Sequence, residues 1–117
     1  MIKRINFLSM CMFCIFLSSV SYASCPPATP NNSSGFCSSF KISAQCHCSA
    51  SLPAGMCTDM KSLYDRMISM FGSLSRACAY QRETSAQNCI DAWNCYRLGG
   101  TSSSGLCSGT GLPCESF

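Results

Sequence analysis

The chain is 117 residues long with a formal charge of +3, and it carries 12 cysteines but only one histidine and five carboxylate side chains. The charge is small and no basic run exists, which removes the electrostatic argument for a nucleic acid or an anionic membrane surface as partner. Short length with dense cysteine excludes an ordinary reducing-compartment enzyme and points to an exported disulfide scaffold.

Residues 1–23 have the make-up of a secretory signal. Lys3 and Arg4 supply the positive start, INFLSMCMFCIFLSSV from Ile5 to Val20 is the apolar run, and Ser21-Tyr22-Ala23 ends in the small residues a signal peptidase reads. The run is shorter than the roughly 20 apolar residues of a spanning helix, and no charged stop follows it. The expectation is cleavage after Ala23, with no integral span in the mature chain. Cys11 and Cys14 depart with the signal.

Residues 24–117 then form one domain with ten cysteines: Cys25, Cys37, Cys46, Cys48, Cys57, Cys78, Cys89, Cys95, Cys107 and Cys114. The even count speaks against lipid attachment at Cys25, which would orphan one thiol in an oxidising space. A chain this small buries a modest core, so each cross-link, worth typically 2–4 kcal/mol, carries weight. Ten cysteines allow on the order of a thousand pairings, so connectivity is left open. Without Lys3 and Arg4 the net charge is +1, and 23 of the 94 remaining residues are Ser or Thr. A near-neutral polar surface permits association.

In chain order, residues 24–56 read as a loop-rich arm. SCPPATPNNSSGFCSSF over 24–40 is Pro-, Asn-, Ser- and Gly-rich and shows no periodicity; two overlapping sequons lie in Asn31-Asn32-Ser33-Ser34. KISAQCHCSA over 41–50 fits a short strand, with a loop as the rival. Alternation in a strand puts Cys46 and Cys48 on one face and His47 on the other.

The clearest element is a helix over 58–81. Thr58 is placed to cap it, and Met60, Leu63, Met67, Met70, Leu74 and Ala77 recur at three- and four-residue steps. Gly72 lies inside and weakens it relative to Ala by about 1 kcal/mol. A second helix over 85–97, capped by Thr84 or Ser85 and stopped at Gly99-Gly100, completes an antiparallel hairpin within 57–98. Cys78 and Cys89 lie symmetrically about the turn and are expected to pair, while Cys57 must find a partner outside the hairpin. Residues 99–117, GGTSSSGLCSGTGLPCESF, are a Gly/Ser-rich tail pinned by Cys107 and Cys114.

Candidate chemistry centres on Cys46-His47-Cys48. Zinc thiolate sites usually repeat two-residue-spaced clips, which the mature chain lacks, and an oxidising compartment favours disulfide over thiolate. The two cysteines therefore read as a junction that fastens one segment to two places. Met56, Met60, Met67 and Met70 suit copper(I) chemically, but three of them fall on the helical core stripe, where Met is a flexible filler and an adaptable partner contact.

His47 beside cysteines, on a small disulfide-dense chain with paired helices, resembles the secreted phospholipases A2. The resemblance stops there: the Gly-rich calcium loop, the doubled cysteine before the histidine and an Asp after it are missing. Its activity is not carried over.

The expected fold is a small, disulfide-rich, mostly α domain. The expected role is a non-enzymatic exported binding or assembly module, without cofactor or metal, that acts on a protein partner in the cell envelope or outside the cell. The alternative is a freely secreted effector, toxin or inhibitor.

Overall fold

The structure is a computed structural model and describes residues 25–117; the signal segment expected over 1–23 lies outside the described residues. Four helices carry the fold: α1 (Phe36–Ser51), α2 (Met60–Phe71), α3 (Leu74–Tyr80) and α4 (Ala86–Leu98). A 3-10 turn at Ala54–Met56 leads into α2, and a two-residue hairpin of β1 (Thr101–Ser102) and β2 (Gly105–Leu106) follows α4. The chain is small, mostly helical and disulfide-rich.

α1 replaces the strand or loop expected over 41–50 and about half of the loop-rich arm over 24–56. Its apolar residues Phe36, Phe40 and Ala44 recur every four residues, but serines and cysteines dilute the pattern. Serine also competes for its own backbone and gives little intrinsic helicity. Tertiary ties supply what propensity does not. Phe36 and Phe40 are buried, and three disulfides leave the helix: Cys37–Cys114, Cys46–Cys25 and Cys48–Cys57. On a helix, positions 46 and 48 point about 200° apart, which is why these two cysteines reach different partners.

The stretch expected as one helix over 58–81 is two helices, divided at Gly72. Asp59, rather than Thr58, caps α2: its carboxylate accepts from the Ser62 amide at 3.3 Å and the Ser62 hydroxyl at 2.9 Å. The Ser62 hydroxyl bond is the main reason its pKa is held below the ordinary value. Gly72 closes α2 at φ 88°, in the left-handed region, and donates its amide to Ile68 O at 2.7 Å. Ser73 then caps α3 by accepting from the Arg76 amide at 3.1 Å. Ser85 does the same for α4 through the Asn88 amide.

The break reverses the sign of one substitution. Alanine at position 72 would improve a continuous helix, but here it must adopt positive φ. Gly72→Ala is expected to lower stability by about 1 kcal/mol, read as a reduced urea midpoint at unchanged slope. A raised midpoint would show a helix running through.

The core sits where α1, α2 and α4 meet. Met60 is fully buried, and Phe40 packs its ring against Trp93 at 4.9 Å and Tyr96 at 5.4 Å. Two more disulfides lock the second half: Cys78–Cys89 joins α3 to α4, and Cys95–Cys107 ties α4 to the tail.

The tail is pinned, and its anchorage is on α1 and α4 as well as on α2. Cys114 bonds to Cys37, and the Cys114 amide donates to Tyr96 O at 2.9 Å. Phe117 meets Tyr64 of α2 at 5.9 Å. The Arg97 guanidinium lies 4.0 Å from the Tyr64 ring centre and 5.6 Å from that of Phe117. Its Nε is buried without a hydrogen-bond partner, so ring faces supply much of its surroundings. The Tyr96 hydroxyl donates to Glu115 at 3.2 Å; burial, with the adjacent carboxylate second, pushes its pKa well up.

Candidate functional site

The main concavity is a groove of about 1230 Å³ between α1 and the α2, α3 and α4 elements. One side is a single face of α1, formed by Phe36, Phe40, Ala44 and His47, whose spacing keeps them aligned over about 16 Å. The opposite side is built from Leu63, Met67 and Met70 of α2 and from Ala92 and Trp93 of α4. Phe40, Leu63 and Trp93 are buried floor residues, Met67 is half-buried, and Met70 is 61% exposed. The methionine stripe thus grades from core at Met60 to an open lip at Met70.

The two ends of the groove differ. Near Phe36 the lining is uncharged, with Pro30, Asn31, Ser103 and Ser104. Asn31 accepts from the Ser102 and Ser104 hydroxyls and Asn32 donates to Ser104 O, so the sequon asparagines clamp the tail against the arm. At the other end His47 Nδ1 stands 3.8 Å from Glu83 Oε1, a contact that is ionic only while the imidazole is protonated. Gln81 beside it donates to the carbonyls of Cys78 and Thr84 and closes the turn between α3 and α4.

Three further facts fix the electrostatics. Asp91 accepts from Gln87 at 2.9 Å. On the outer face of α2, Lys61 donates to Asp65 at 2.8 Å, a bond that raises the Lys61 pKa. Arg66, which lines the groove, has no ion-pair or hydrogen-bond partner among the described residues.

Comparison with protein-family models, with curated proteins and with solved structures finds no match to this chain.

All ten cysteines of the described residues are disulfide-bonded, so no thiolate is left there to hold a metal or attack a substrate. Among the described residues no three His, Cys, Asp or Glu side chains converge as a metal site. No Ser or Thr hydroxyl is hydrogen-bonded to His47 in that same set. Cys46-His47-Cys48 is a framework junction, with its sulfurs bonded to Cys25 and Cys57.

His47 itself needs a correction. It is 42% exposed as a side chain, but it belongs to the α1 face that lines the groove, not to the back of a strand. The strand period of two and the helix period of 3.6 assign the same residue to different neighbours. A four-residue recurrence through Phe36, Phe40 and Ala44 was the available signal for this wall.

Proposed function

We propose that this chain is a non-enzymatic, exported, cysteine-rich binding or assembly module. In the cell it serves as an accessory subunit of an envelope or extracellular complex, such as a bacterial secretion apparatus. The observation that carries the reading is the open apolar groove on a cross-linked scaffold. Rigid walls cut the ordering cost of binding, and thioethers at Met67 and Met70 adapt to the shape of a partner. Five disulfides fit an oxidising location. No described helix is long and apolar enough to cross a membrane.

The test is a photo-crosslinking residue at position 70 in cells that export the protein, followed by native fractionation. A discrete crosslinked protein that migrates with a large envelope assembly is the expected result. Release into the medium as an uncrosslinked monomer would favour the free effector. Loss of the cellular phenotype in His47→Ala, with five bridges and crosslinking intact, would reopen a catalytic role.

A further inference from the structure

The size and charge of the groove point to a class of partner, on the reading that this chain is a binding module. Its volume of about 1230 Å³, spread over the roughly 16 Å from Phe36 to His47, gives a cross-section of roughly 77 Å², that of a cylinder about 10 Å across. An α-helix with its side chains has that width. One extended strand, about 4.8 by 10 Å in section, would leave part of the space empty. The walls are held by sulfur, three bridges leaving α1 and two leaving α4, so the groove stands open before a partner arrives.

The lining suits a helix that presents one apolar stripe. Phe40, Leu63, Met67 and Trp93 give it an apolar floor and sides. Ala44 of α1 and Ala92 of α4 are small residues on opposite walls, which leaves room for a large anchoring side chain. A helix engages such a groove through residues at i, i+3, i+4 and i+7, and about 16 Å accommodates about eleven residues, or three turns.

Charge sets the sign of the flanks. The charged side chains on the lining are Glu83 and Asp91 against Arg66. Among the described residues neither carboxylate is neutralised by a Lys or Arg: Asp91 accepts from the Gln87 amide, and Glu83 faces His47, which is a cation only while protonated. The balance is negative, so Lys or Arg beside the apolar stripe is favoured over Asp or Glu.

We propose that the groove receives one amphipathic α-helix of a partner protein, about three turns long, with a stripe of large apolar residues flanked by Lys or Arg.

Trp93 is the only tryptophan and lines the groove, so its fluorescence reports occupancy. The oxidised exported protein is titrated with a synthetic 14-residue peptide that has Leu at i, i+3, i+4 and i+7, Lys on the flanks and Ala elsewhere. One companion peptide has Glu in place of Lys, and another has a central Pro. A saturable one-to-one change is expected with the Lys peptide. The Pro peptide should bind about tenfold or more weakly, because it cannot hold the helix. The Glu peptide should also bind more weakly, by a margin that shrinks as salt is added.

Glu83→Gln with Asp91→Asn is expected to weaken the Lys peptide about two- to fivefold per charge and to narrow its margin over the Glu peptide. Ala44→Trp fills the space for the anchor and should weaken every peptide about tenfold or more. If Ala44→Trp fails to form five bridges, the charge comparison still decides.

The proposal is overturned by absence of a saturable change, by equal binding of the Pro peptide, or by a Lys-over-Glu preference that is missing or survives the double carboxylate variant. A crosslinked envelope protein at position 70 alongside such a failure leaves the assembly role standing and removes the helix alone.

Discussion

Replacing Cys37 and Cys114 together by serine is expected to lower the unfolding free energy by about 4 kcal/mol, more than the loss of any other bridge. These cysteines lie 77 residues apart, against 21 for Cys25–Cys46 and 9 to 12 for the other three. The bridges Cys48–Cys57, Cys78–Cys89 and Cys95–Cys107 all lie within that loop and shorten its effective length to roughly fifty residues, which trims the chain-entropy term only slightly because it grows with the logarithm of length. The same arithmetic gives about 2.5 kcal/mol for Cys48–Cys57.

A domain of this size has roughly 5–10 kcal/mol in total, so the double serine variant should lose 15–30 °C of thermal midpoint, to order of magnitude. The contacts around the bridge make the comparison clean. The Ser108 hydroxyl lies 3.2 Å from Cys37 Sγ and 3.4 Å from Cys114 Sγ, and serine can keep such polar contacts. The tail also retains its bond to Tyr96 O and the Phe117 packing. The measurement is paired urea titration of the Cys37/Cys114 and Cys48/Cys57 double variants. Equal losses would show that loop length does not govern the stability of this scaffold.

Some of this fold was legible in the residues and some was not, for reasons that differ by element. α2 and α4 have apolar recurrence and good capping residues, and those signals are local. The pairing of Cys78 with Cys89 follows from their symmetry about a short turn, which is local too.

α1 carries only Phe36, Phe40 and Ala44 as a pattern amid serines, and its stability rests on sulfurs that reach residues 25, 57 and 114. Cys57 lies only nine residues from Cys48, but Cys25 and Cys114 lie 21 and 77 residues from their partners, outside any local window. The break at Gly72 turns on a backbone angle: the same Gly reads as a weak helix residue or as a left-handed stop, and the cap at Ser73 decides between them. The groove as a whole was not legible, although the Met67 and Met70 stripe and the Phe36, Phe40 and Ala44 recurrence each mark one wall. Its walls come from three segments that are brought together by long-range packing, and His47 joined them only because residues 46–48 are helical.

Gly99→Ala is the other substitution with a large expected cost, about 2–5 kcal/mol. Gly99 ends α4 at φ 67° and ψ −153°, a region essentially reserved for glycine and worth about 1–3 kcal/mol of strain to other residues. The returning tail lies directly on it. A Cβ there would stand 2.5 Å from Leu112 C, 2.5 Å from Pro113 N and 2.6 Å from Gly111 O. All three are backbone atoms, so no side chain can rotate away, and the segment leading to Cys114 must move.

That segment is held from several directions: Gly100 donates to Gly111 O at 2.6 Å, Gly111 donates to Cys107 O at 2.8 Å, and Cys114 donates to Tyr96 O. Displacing it therefore strains the Cys37–Cys114 closure as well. Gly100 is the internal control. It also has positive φ, 93°, but nothing lies within 4 Å of its added Cβ, so Gly100→Ala should cost only about 1–2 kcal/mol. The difference between the two variants isolates the contact between the helix end and the tail. Gly99→Ala is also expected to leave a fraction of molecules two hydrogens heavier by intact mass, with Cys37 and Cys114 reduced. Equal stability of the two alanine variants would mean that the tail does not pack on Gly99, and the long closure through Cys114 would then have to be reached by another path.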